Sequence, residues 1–457
     1  MDTIFQEFGE AFSRQNGYQI SQTLTPELPN DMLRAIWKNA THHDVRGILK
    51  RGIQSSASAS GFRLSNDEVQ GWVEVYLAYW KATGELLAVQ DQSAANGKSS
   101  WTTVYEIWRE MCSLLIRGYN NHGFEAWTVP CLYVAGKHLR VFAIKADEER
   151  NSSSNNSNEN AGATFQDDFD PESEKHQQLE DCARQLNRIF NLCLSDRAPL
   201  EESRKWGIYY VINLLFKTYF KLNSAPLSKN ILKALSAGRG DMPPFSAFPK
   251  SQQVTFKYYE GVLSFLEEDY EVAEKHLTQA WGLCHKAAKR NKELILTYLI
   301  PCHLIRTHTL PSQKLLEPYP RLQGLFLPLS RCIKKGELHS YDLALQEGEA
   351  EFVKRRIYLT LERGRDIALR NLLRKVFMAG GFDEPKAPGD KPLRRSRIPV
   401  AEFAAAISLG SQERLDTDEV ECLLANMIYK NLMKGYIARE RGIVVLSKGG
   451  AFPGTGV

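Results

Sequence analysis

The sequence predicts an all-α chain, a tetratricopeptide-like helical-repeat stack ending in a winged helix with a small β-hairpin, and three observations carry this. Residues 415–447, LDTDEVECLLANMIYKNLMKGYIARERGIVVLS, pass from one amphipathic helix directly into two short apolar strands. Most of the chain before them alternates helix-spaced apolar stripes with turn residues. Gly261, Ala273, Leu277 and Ala280 fall at relative positions 0, 12, 16 and 19, the small-residue spacing of one tetratricopeptide helix pair.

Residues 1–150 form an aromatic-rich helical region. Val73, Tyr76, Leu77 and Trp80 keep helical spacing, as do Val104, Ile107, Trp108, Met111 and Leu115. Residues 55–60 and 93–100 are serine-rich and predict loops. Residues 151–174 are polar, then acidic, and too poor in apolar side chains to offset ordering entropy, which predicts a disordered insertion. Residues 175–353 form the repeat region. Leu186, Ile189, Phe190 and Cys193 make one stripe, residues 209–222 a buried helix, and Pro301, Pro311, Pro318, Pro320 and Pro328 punctuate the turns.

Residues 354–450 contain a basic helix and the winged helix. Leu369, Leu372, Leu373, Val376 and Phe377 mark one face of the basic helix; Arg363, Arg370 and Arg374 share another. Gly380–Gly381 ends it. A short strand at residues 397–399 precedes a helix marked by Val400, Phe403 and Ile407. The third helix, residues 417–434, buries Val420, Leu423, Leu424, Met427, Ile428 and Leu432. Asp416 or Thr417 can cap its start, with Glu419 spaced to complete a capping box from Asp416, and Gly435 is placed to cap the other end. Residues 436–439 and 443–446 then form the hairpin.

At 457 residues more than one domain is expected, and 43% hydrophobic content suffices for a core. No apolar run approaches the roughly 20 residues that cross a bilayer, so no membrane insertion is expected. The first residues lack the basic-then-apolar order of a secretory leader. Eight cysteines without CxxC pairs suggest reduced thiols in the nucleus or cytosol. The net charge of +4 is unevenly distributed: residues 354–397 hold thirteen Lys/Arg against five acids, or +8, leaving −4 for the rest. Such a basic block beside a winged helix points to nucleic acid. If about six phosphates are neutralised, affinity falls about a thousandfold between 50 and 200 mM salt.

Other chemistries lack a signature. There is no GxxxxGK[ST], GxGxxG, HExxH or GxSxG, so no catalytic residue, cofactor or small-molecule substrate is assigned. His42–His43, Cys284–His285 and Cys302–His303 are not spaced for zinc, so no metal is assigned. Gly238–Asp241 spells an adhesion tripeptide but is taken as an ordinary turn. Glu419, Glu421, Asn426 and Lys430 leave the third helix without a basic reading face.

The segments 206–223, 258–281, 298–319, 363–377 and 418–437 resemble PCI-domain proteins, with the PCI domain at about 250–450. Within that superfamily they are most similar to the PCI subunit of the TREX-two mRNA-export complex and to signalosome-subunit-twelve-like proteins. The resemblance spans about residues 180–453. It implies a non-enzymatic scaffold, partnered by a larger PCI-type subunit and a small acidic protein shared with the proteasome lid, with RNA or DNA on a basic winged-helix surface. By position it places nucleic-acid contacts at Arg394, Arg395, Arg397, Arg439, Arg441 and Lys448, then Arg370, Arg374, Lys375 and Arg363. It places partner contacts at Tyr436, Ile443 and Val445. The implied locations are the nucleus, including nuclear pores, and the cytoplasm, and the implied role is mRNA export coupled to transcription. Two alternatives stay open: a protein-only scaffold associated with the COP-nine signalosome, and a PCI complex in transcription elongation or splicing.

Overall fold

The computed structural model describes residues 2–38, 44–91, 100–158, 176–383 and 394–454. It is a stack of α-helices with a small sheet at its C-terminal end, as the sequence predicts, but residues 55–59, expected in a loop, close the helix Val45–Ala59, and Pro301 and Pro328, expected at turns, lie inside helices. Backbone contacts divide it into two compact units, Met1–Phe256 and Lys257–Val457.

In the first unit three long helices, Asn66–Asp91, Trp101–Asn121 and Pro130–Asn158, pack each against the next in chain order. Their starts are set by side chains that satisfy free backbone amides. Ser65 and Glu68 exchange reciprocal hydrogen bonds, and Ser100 accepts from the Thr103 amide. Their apolar faces meet in an aromatic core. The Trp72 ring stacks on Phe124 at 4.2 Å, and the Trp108 indole N–H donates to the Ala135 carbonyl at 2.9 Å. A Cβ on Gly118 would lie 2.2 Å from the Phe124 ring, so only glycine admits that ring. The helix Pro130–Asn158 runs eight residues into the polar stretch from which disorder is expected, while residues 159–175 lie outside the described residues. Asp147 on that helix accepts the Gln178 and Leu179 amides, at 3.0 and 2.9 Å, and so caps the start of Gln177–Leu194.

In the second unit the tetratricopeptide-like spacing is a real contact. Ala273, Leu277 and Ala280 are wholly buried on Tyr270–Leu283, and Gly261 on Lys250–Leu266 meets Leu277. Further helices lead to Gly364–Ala379, the basic helix, which ends before Gly381 at φ +73°.

The winged helix follows. β1 (Arg397–Pro399) leads into the helix Val400–Ser411, whose Val400, Phe403 and Ile407 are buried. The helix Thr417–Tyr429 starts at the expected capping box of Asp416 and Glu419. β2 (Gly435–Ala438) and β3 (Ile443–Leu446) close the sheet in the antiparallel order β1-β3-β2. The third helix is shorter than its apolar spacing suggests. It stops at Tyr429, and Asn431, not Gly435, takes the left-handed conformation, at φ +56°. The amides of Leu432 and Met433 then turn back to the Met427 carbonyl. Gly435 serves a different need, because a Cβ there would lie 2.4 Å from the Val445 carbonyl oxygen.

A Cβ on Gly261 would sit 2.6 Å from the Leu277 Cγ. Gly261→Val is therefore expected to destabilise the second unit by about 1–3 kcal/mol through overpacking, measured by urea unfolding.

Candidate partner and nucleic-acid interface

The register of the sheet sorts its residues. Arg397 pairs with Val445, which pairs with Tyr436; Pro399 pairs with Ile443, which pairs with Ala438. Directly opposed residues in a sheet share a face. One face therefore carries Arg397, Val445 and Tyr436 in one row and Pro399, Ile443 and Ala438 in the next. The other face carries Ile398 and Val444, which are buried at 1% and 0% exposure. The first face is open: Tyr436 is 62% exposed, and Ile443 and Val445 are partly exposed. The three residues expected to bind a partner thus lie together on a solvent-facing apolar surface. Pro399 and Ala438 complete it, and the sequence reading missed both because face membership depends on pairing register.

Cations border this surface. Arg441 lies on the turn between β2 and β3, and Lys448 lies two residues beyond β3; both are exposed. Arg397, in edge strand β1, is exposed as well. Among the described residues none of these three side chains has an ion-pair partner. Arg374, on the basic helix, is exposed and likewise unpaired there.

The remaining expected contacts are engaged within the fold. Arg439 pairs with Asp418 at 2.7 Å and with Glu421 at 3.3 Å, both on the third helix. Arg395 pairs with Glu402 at 3.3 Å. Arg394 donates to the Met378 carbonyl at 2.9 Å and lies over the Phe382 ring at 4.5 Å. Arg363 pairs with Glu268 at 2.7 Å, and Lys375 donates to the Lys335 carbonyl at 2.6 Å.

Arg370 departs furthest from the expected exposed face, since it is only 3% exposed. Its guanidinium donates to Asn371 Oδ1 and to the Pro453 carbonyl, each at 2.7 Å. Burial, reinforced by Arg374, pushes its pKa below the ordinary arginine value. The helix Gly364–Ala379 is covered on more than the leucine side, which its sequence spacing does not reveal. Arg363, Arg370, Lys375, Arg394 and Arg395 of the +8 block are therefore used inside the fold, and Lys386 and Lys391 lie outside the described residues.

A helical stack ending in a three-stranded winged helix with an open sheet face is the architecture of a PCI-type scaffold. Residues 345–448 match the PCI domain family. The chain is 73% identical to Protein CSN12 homolog of Neurospora crassa, with both chains covered completely. It is 36% identical to Protein CSN12 homolog of Schizosaccharomyces pombe, over 99% of this chain and 97% of that one. It is 32% identical to PCI domain-containing protein 2 of Danio rerio, over 74% of this chain and 76% of that one. The chain belongs to the PCI-domain family of CSN12 homologues and PCI domain-containing protein 2, and is a PCI-domain scaffold of that type.

If Arg370 acts inside the fold, Arg370→Ala should release the segment at Phe452–Pro453 and lower stability by about 1–2 kcal/mol. Nucleic-acid affinity should stay unchanged. Thermal unfolding and a filter-binding titration on the same sample check both.

Proposed function

We propose that this chain is a nuclear scaffold of an mRNA-export complex coupled to transcription. Its open sheet face docks a larger PCI-type subunit, and the bordering cations hold RNA or DNA. The observation that carries this reading is the apolar patch of Tyr436, Ile443 and Val445 flanked by Arg397, Arg441 and Lys448. Exposed apolar patches rimmed by polar side chains favour protein contacts. Unpaired cations beside such a patch add phosphate binding once the partner orders the surface. A small acidic protein shared with the proteasome lid would be a further subunit.

The protein-only alternative, association with the COP-nine signalosome, draws support from one observation. Arg363, Arg365 and Arg395 of the basic block are held in internal ion pairs, and Arg370, Lys375 and Arg394 donate to acceptors within the fold, which leaves fewer cations for phosphate. Under that reading the same sheet face docks the partner, and nucleic acid is absent from the assembly. A PCI complex in transcription elongation or splicing would keep the nuclear setting with a different partner.

Two sets of variants separate these readings. With about three phosphates neutralised, affinity of the assembled protein for single-stranded RNA should fall about twentyfold between 50 and 200 mM salt. Arg397→Glu, Arg441→Glu and Lys448→Glu combined should abolish that salt dependence while partner recovery in a nuclease-treated pull-down persists. Tyr436→Asp with Val445→Asp should remove the PCI-type partner from the same pull-down. Unchanged RNA affinity in the triple variant would leave only the protein-docking role.

A further inference from the structure

The first unit contains a cleft of about 800 Å³, lined by residues outside the winged helix. Its size falls in the range of ligand-binding clefts, about 300–1,000 Å³. Tyr18, Trp127, Trp206 and Phe248 line it, and Tyr18 and Trp206 are 61% and 39% exposed. Its charge is one-sided. Glu125, Asp196, Glu201 and Glu202 line it against a single cation, Arg204, among its described lining residues. That cation is already committed, because Arg204 pairs with Asp196 at 2.8 Å.

The acidic rim is held in place by this loop's own chemistry. Asp196 accepts the Ser203 hydroxyl at 2.9 Å and the Arg204 amide at 2.7 Å. Burial acts to raise the Asp196 pKa, but the hydrogen bonds from Arg204 and Ser203 outweigh it and hold the carboxyl at about 2. The Trp206 indole N–H donates to the Leu200 carbonyl at 2.6 Å, which fixes the turn Leu200–Glu202 beside the indole. Glu201 and Glu202 are exposed there without an ion-pair partner among the described residues. A separate feature also asks for a donor. Gln252 lines the cleft at 7% exposure, and its side-chain Oε1 has no hydrogen-bond partner. A buried acceptor left unpaired is costly, so a ligand that brings an N–H group is favoured.

We propose that this cleft binds an arginine-bearing peptide segment of a partner protein. The guanidinium suits every feature at once: a planar face for the exposed tyrosine and tryptophan rings, paired N–H groups for Glu201 and Glu202, and further donors for Gln252. Lysine offers no planar face. Nucleic acid is disfavoured because its phosphates would meet carboxylates, so this site and the winged-helix surface select partners of opposite charge.

Fluorescence anisotropy of the full chain with a fluorescein-labelled peptide of alternating arginine and glycine tests the assignment, with citrulline replacing arginine in a neutral control. The arginine peptide should bind and the citrulline peptide should not. Glu201→Gln with Glu202→Gln should weaken binding at least tenfold, equivalent to about 1.4 kcal/mol. Both glutamates are exposed and unpaired, so the fold should persist, which circular dichroism checks. Trp206→Ala should weaken binding similarly, and RNA affinity should be unchanged in both variants. No binding of the arginine peptide, equal binding of the citrulline peptide, or unchanged affinity in the glutamine variant would each overturn the proposal.

Discussion

The pairing of β3 with both neighbours is the constraint on which the C-terminal module depends. β3 is the central strand, so its register sets the facing of all three strands. Val444 and Leu446 are buried at 0% and 3% exposure, and they bring Ile398 to the inner face beside them. A slip of one residue would bury Ile443 and Val445 and expose Val444 and Leu446, at the expense of the core beneath. The open apolar face is thus a consequence of filling the closed one. Gly435 belongs to the same constraint, since it lets β2 approach the Val445 carbonyl.

Electrostatics inside the module narrows what its basic residues offer a ligand. An exposed ion pair is worth only about 0–1 kcal/mol, so Arg439 could exchange Asp418 for a phosphate at small cost. Asp418 and Glu421 would still stand next to that phosphate and repel it. Arg397, Arg441 and Lys448 carry no such neighbour in ion-pair contact among the described residues. Net charge along the chain therefore overstates the useful positive surface, and the difference lies in where carboxylates from distant segments come to rest. Glu268 reaches Arg363 and Asp366 reaches Lys430 only because the helices carrying them are packed together.

The two candidate surfaces are built by different means. The sheet face is a product of backbone pairing, with its side-chain chemistry supplied by alternation along the strands. The cleft of the first unit is a product of side chains fixing a loop: Asp196 holds Ser203 and Arg204, and Trp206 holds Leu200.

By itself the sequence determined the helix stripes, the capping box at Asp416 and Glu419, the glycine at position 261 and the order of elements in the winged helix. Each of these rests on local physics, the helical or strand period and side chains that satisfy backbone amides a few residues away. The family resemblance was legible for the same reason, as ordered blocks of such patterns. Tertiary structure alone decided that Arg370 is buried, that Arg363, Arg395 and Arg439 are paired, and that Pro399 and Ala438 join Tyr436 on one face. It also decided that the third helix yields to Asn431 before Gly435. These outcomes depend on contacts between residues far apart in the chain, and on the Val445 carbonyl claiming Gly435 for the sheet. The aromatic and acidic cleft was hidden likewise, because Tyr18, Trp127, Glu201 and Gln252 meet only after the first unit has packed.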